Sequence, residues 1–77
     1  MNELTAAHQR LPFGTIVQVK NLKNKKTVAV RINDRGPFRR NRILDLSYAA
    51  AQAINLVGPG SARVRIEVIQ WGETPTR

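Results

Sequence analysis

The sequence predicts a small, mainly β domain with one short helix. Three observations carry this: segments that alternate apolar and polar residues, a single alanine-rich stretch between helix start and stop signals, and short turn-rich links. In "TIVQVK" (15–20), Val17 and Val19 share one face. In "KTVAVRI" (26–32), Val28, Val30 and Ile32 share one face, with Thr27 and Arg31 on the other. The link "NLKNK" between them is short and rich in turn formers, which predicts a hairpin. "RILDL" (42–46) is a shorter apolar run and a fourth strand candidate. "SYAAAQAIN" (47–55) predicts a helix. Ser47 is a good N-cap, the alanines favour helix, and Asn55 suits a left-handed end. "VGPG" (57–60) then turns the chain into "ARVRIEVIQ" (62–70), where Val64, Ile66 and Val68 oppose Arg63, Arg65 and Glu67. The expected organisation is one domain over 1–70 and a tail or linker start over 71–77, "WGETPTR".

Composition narrows the chemistry. Seventy-seven residues make one domain with a thin core, and an apolar share of 42% supports folding rather than disorder. The absence of cysteine excludes a disulfide or thiolate metal site, and a single His argues against a protein-built zinc site. No metal or cofactor is expected. No apolar run approaches the roughly 18–20 residues of a membrane span, and no signal peptide opens the chain. The net charge of +8 is concentrated: nine Lys or Arg and one acid lie between Lys20 and Arg42, while four of each sign lie elsewhere. Such a patch attracts polyanions: nucleic acid, anionic lipid heads or a carboxylate-bearing wall polymer. Aromatic residues are not interleaved with the basic strands, so specific nucleic-acid binding is not expected.

The one acid in that window is Asp34, in "RINDRGPFRR" (31–40). One reading makes it a turn residue that binds nearby amides. The other makes it a reagent. A general acid must keep a proton near neutral pH. In that role Asp34 must be partly desolvated, or face away from Arg31, Arg35, Arg39 and Arg40. His8 is the only side chain that ordinarily titrates near neutrality, although most lone histidines are structural or superficial. Asp45 lies between Leu44 and Leu46, where it either interacts with the following helix N-terminus or serves a site. Two carboxylates and a His form a minimal acid–base set for glycosidic cleavage. Phe13 and Phe38 follow turns and read as plugs at one end of the core; Tyr48 and Trp71 are candidates to line a groove.

Four ordered blocks, "LTAAHQRLPFGTIVQVKNLKN", "VAVRINDRGPF", "RILDLSYAAAQAI" and "ARVRIEVI", closely resemble the rare lipoprotein A family, from about Asn2 to Ile69. The resemblance implies a six-stranded double-psi β-barrel with the helix at its side. It implies a bacterial cell-envelope protein, periplasmic or held at the outer membrane by a lipid anchor outside this chain. It implies a lytic transglycosylase acting on peptidoglycan glycan strands stripped of stem peptides. By the N-D-R-G-P-F motif the family's catalytic Asp falls on Asp34, and by the T-A-A-H block its functional His falls on His8. Thr5, Asn33, Arg35 and Phe38, in those same motifs, are the expected substrate contacts. Expansins and family 45 glycoside hydrolases resemble the family distantly and carry a functional Asp in the block like "LDLS", which adds Asp45 by analogy. They also supply the alternative reading, a non-catalytic module that binds wall glycan. Family members carry a further strand before the T-A-A-H block. The expectation is therefore a barrel without its first strand, whose open edge invites a strand-swapped homo-oligomer.

Overall fold

The computed structural model describes residues 3–38, 42–56 and 62–72. They form one five-stranded sheet and one short helix. The elements in chain order are β1 (Thr5–Ala7), β2 (Ile16–Asn21), β3 (Thr27–Asp34), β4 (Asp45–Leu46), α1 (Tyr48–Ala53) and β5 (Val64–Gln70). The strand order is β4-β1-β3-β2-β5, so β4 and β5 are the edges.

The alternating segments became strands for the expected reason. Along β2, Val17 and Val19 are fully buried, and along β3 so is Ile32, with Val28 and Val30 nearly so. Their intervening partners face outward. β2 and β3 pair antiparallel as a hairpin, from Ile16↔Arg31 to Lys20↔Thr27. The hairpin turn is held by side-chain amides. Asn21 Oδ1 accepts from the Lys23 amide at 3.0 Å, and Asn24 Oδ1 from the Lys26 amide at 2.9 Å. The Nδ2 groups of both asparagines donate to the Ile54 carbonyl at the end of α1, at 2.8 and 3.1 Å. One helix terminus and one hairpin thereby satisfy each other's polar groups.

The helix is shorter than its signals suggested but starts and stops on the expected residues. Ser47 caps it, its Oγ accepting from the Ala50 amide at 3.2 Å, and Asn55 leaves it at φ 61°. Ser47 does more than cap. Its Oγ also accepts from the Thr5 amide at 3.3 Å and donates to the Glu3 carbonyl at 2.8 Å, which ties α1 to β1. Ala50 and Ile54 are fully buried and complete the core with Ala6, Leu44 and Leu56.

Two parts of the sheet depart from the sequence reading. The segment 42–46 pairs only at Asp45 and Leu46, because its partner β1 offers just Ala7 and Ala6 opposite them. β1 itself carried no strand signal, since in Thr-Ala-Ala only Thr5 favours a strand and the two alanines do not. It is a strand because β3 and β4 flank it, β3 in parallel and β4 antiparallel. Among the described residues no helix is long and apolar enough to cross a membrane.

Candidate active site

The parallel pairing of β1 with β3 brings remote residues together. Thr5 pairs with Arg31 and Ala6 with Ile32; the register then slips by one, so that Ala7 stands opposite Asp34. On its other side Ala7 stands opposite Asp45 of β4. Residues in register across neighbouring strands point to the same face. Ala6, Ile32 and Leu46 hold the inward positions, and Asp34 and Asp45 are both exposed. The result is a row, Asp34–Ala7–Asp45, on the outer face. Strands lie about 4.8 Å apart, so the two acidic residues' Cα atoms are roughly 10 Å apart. Only the methyl group of Ala7 stands between the two acids.

His8 joins the same end. It follows Ala7, and its amide donates to the Asp34 carbonyl at 3.2 Å. Its Nδ1 accepts two backbone N–H groups, from Arg10 at 3.0 Å and Leu11 at 3.1 Å. A nitrogen that accepts both carries no proton, so these bonds assign the ring proton to Nε2. Burial first, and the Arg35 guanidinium second, push the His8 pKa below the ordinary 6.5. At neutral pH the ring is therefore neutral and presents an Nε2–H donor.

That shift has a definite sign in stability. With the folded value below the unfolded one, the neutral ring's contribution is complete above about pH 6.5 and is lost as pH falls through the folded value. The expected NMR titration of the imidazole has its midpoint below 6.5 in the intact protein. It moves upward in Arg35→Gln. An unchanged midpoint in that variant would mean that Arg35 does not act on the ring.

The arginines near Asp34 have other partners. Arg35 directs its guanidinium to the carbonyls of His8 at 3.2 Å and Leu11 at 2.9 Å, and stacks over the Phe13 ring at 4.3 Å. Arg31 lies 3.8 Å from Glu3. Among the described residues Asp34 makes no ion pair; its Oδ1 accepts from the Arg35 amide at 2.8 Å. Arg31 and Arg35 thus spend their guanidinium groups on partners other than the Asp34 carboxylate, and the Asp34 side chain is exposed rather than desolvated. Arg39 and Arg40 lie outside the described residues. Asp45 does not serve the helix N-terminus. It pairs with Arg42 at 2.9 Å, and Ser47 satisfies the helix.

The remaining expected contacts divide. Thr5 and Asn33 lie on β1 and β3 beside the row. Arg35 is largely spent on the 8–13 loop. Phe38 is 85% exposed just beyond Pro37, and Phe13 is half-exposed under Arg35, so neither plugs the core as the sequence suggested. Three participants were not singled out from the sequence. Ala7 separates the two acids. Gly36, buried at φ 132° in a conformation that side chains disfavour, turns the chain beside Ala7 and the Phe38 ring. Gln9 donates from Nε2 to the Pro37 carbonyl at 2.6 Å and holds that bend. A cavity of about 670 Å³ lies between the two sheet edges, β4 and the start of β5. It is lined mainly by apolar residues such as Leu22, Leu44, Leu56 and Val64, and shares only Asp45 with the row.

The lytic transglycolase family model matches residues 1–66. The chain belongs to that family. Its fold is thus the double-psi β-barrel class, and the resemblance read from the four sequence blocks is correct. Among curated proteins the chain is similar to the endolytic peptidoglycan transglycosylase RlpA of Campylobacter jejuni, 55% identical over 95% of this chain and 26% of that protein. The protein of the same name from Neisseria meningitidis serogroup A is 54% identical over 96% of this chain and 31% of its own length. A probable endolytic peptidoglycan transglycosylase RlpA from Nostoc is 58% identical over 86% of this chain and 18% of its own. The chain thus spans between about a fifth and a third of these lytic transglycolase relatives.

Proposed function

We propose that this chain is the catalytic barrel of a cell-envelope lytic transglycosylase, which cleaves the β-1,4 bond after N-acetylmuramic acid in glycan strands without stem peptides. The observation that carries the reading is the Asp34–Ala7–Asp45 row with His8 beside it. Family membership and the relatives' names support the substrate class.

In this reading Asp34 enters protonated and donates to the glycosidic oxygen as the C1–O bond breaks. Positive charge develops on the muramoyl ring, as in other glycosidic cleavages. The Asp34 carboxylate then takes the proton of the muramoyl C6 hydroxyl. O6 attacks C1, and the product ends in a 1,6-anhydro ring. One carboxyl group serves both steps because the nucleophile belongs to the substrate and no water is consumed. The exposed Asp34 is desolvated by the sugar strand itself, which covers the row when it binds. His8, neutral with its proton on Nε2, donates a hydrogen bond to the acid or the substrate. Asp45 stands on the other side of Ala7, where negative charge favours the oxocarbenium-like state. Asn33, Thr5 and Phe38 border the strand's path. Such a substrate places the protein in the periplasm or at the outer membrane.

The test is product analysis on peptidoglycan stripped of stem peptides. New strand ends carrying 1,6-anhydro-muramic acid are expected. New reducing ends would replace the transglycosylase by a hydrolase. Unchanged strands that retain the protein would replace it by a glycan-binding module of the expansin kind.

A further inference from the structure

The far end of the sheet from the acid row carries a second group of charges. Lys20 of β2 stands directly opposite Arg65 of β5, with Thr27 of β3 on its other side. Like charges directly opposed across a sheet cost stability. Among the described residues neither cation makes an ion pair. Together with Gln18, Thr27 and Glu67 they line a shallow cleft of about 170 Å³ on the outer face. Glu67 stands opposite Gln18, two residues along β5 from Arg65 on the same face, and makes no ion pair with either cation. Lys23, Lys25 and Lys26 crown the adjoining hairpin, all exposed, and Arg63 precedes β5 beside it. The asparagine bonds to the Ile54 carbonyl fix that hairpin, so the lysines are presented on a rigid turn.

We infer that this end is a binding site for the carboxylates of the wall glycan, separate from the acid row. The Lys20–Arg65 opposition, with only Glu67 nearby and no ion pair formed among the described residues, is a stability cost that an anionic ligand reduces. The cleft lies on the same outer face as the row. From Thr27 to Asp34 is about 23 Å along β3, at about 3.3 Å per residue. A strand laid along β3 therefore reaches both ends. Between them lie the small Ala29 and Arg31, whose charge is paired with Glu3. The favoured ligand is a sugar polymer with repeating lactyl carboxylates, such as muramic residues expose once their stem peptides are gone. Nucleic acid is less suited. The exposed aromatics Phe13, Phe38, Tyr48 and Trp71 all lie away from this cleft, so bases find no stacking surface. The choice of polymer rests on the proposed function; the cationic cleft does not.

The test is cosedimentation with peptide-stripped glycan in an Asp34→Asn background, so that binding is read without turnover. Lys20→Gln with Arg65→Gln is expected to weaken binding about five- to tenfold, the effect of two partly solvated charge pairs. Amidation of the glycan carboxylates is expected to produce a similar loss, and added salt to diminish the difference. The double variant's thermal midpoint stays level or rises, which separates lost binding from lost folding. Equal binding by the double variant, or to amidated glycan, overturns the inference. Tighter binding to duplex DNA than to the glycan at the same salt overturns it in favour of nucleic acid. Absence of anhydro ends in the product assay, with charge-dependent binding intact, would remove the catalytic reading and leave this site standing.

Discussion

Asp34→Asn is expected to lower the formation of 1,6-anhydro ends by about 10²–10⁴-fold, the usual worth of a positioned acid–base group. The substitution is nearly isosteric, and an amide cannot carry the proton from O6 or deliver it to the leaving oxygen. Its structural cost is small. Asp34 is exposed, and the bond its Oδ1 accepts from the Arg35 amide is available to an asparagine oxygen. The variant should therefore unfold within about 0.5 kcal/mol of the parent, as a surface substitution does. Matching unfolding curves with a collapsed rate would isolate the chemical role. Undiminished product from the variant would reject Asp34 as the acid. A larger loss from Asp45→Asn, with Asp34→Asn mild, would reverse the two roles on either side of Ala7.

How much of this was legible follows from what kind of contact each feature depends on. β2, β3 and β5 are written in the alternation of Val and Ile, because one buried face needs every second residue to be apolar. The helix start is written in Ser47, whose side chain acts within three residues. β1 is not written locally, since Thr-Ala-Ala becomes a strand only when β3 and β4 arrive on either side. The same pairing makes the site. Ala7 meets Asp34 and Asp45 only through two long-range registers, one shifted by an irregularity that no local pattern reveals. Arg35 was read as a substrate contact because its motif placed it beside Asp34. Its actual partners, the His8 and Leu11 carbonyls and the Phe13 ring, depend on how a loop folds back. The basic patch was visible as composition. The opposition of Lys20 and Arg65 needed the β2–β5 register.

The site rests on a core with little to spare, and Ile32→Ala is expected to show it. Ile32 is fully buried in β3, the strand that ends in Asp34. Its amide donates to the Thr15 carbonyl at 2.8 Å, and its carbonyl accepts from the Gly14 amide at 2.7 Å. The neighbour across β1 is Ala6, too short to fill the space that truncation would open. Removing a buried isoleucine to alanine costs about 2–5 kcal/mol. A single core in a chain this small supplies rarely more than about 3–5 kcal/mol. The variant should consequently lose about 10–25 °C in thermal midpoint, or fail to show a cooperative transition at all. Ile32→Val, which keeps most of the volume, should cost about 0.5–1.5 kcal/mol. Ile43→Ala, at a position 53% exposed, should cost less than either. A loss at Ile32 no greater than at Ile43 would mean that the core does not close over β3. The row of Asp34, Ala7 and Asp45 would then lack the rigid strand that sets its register.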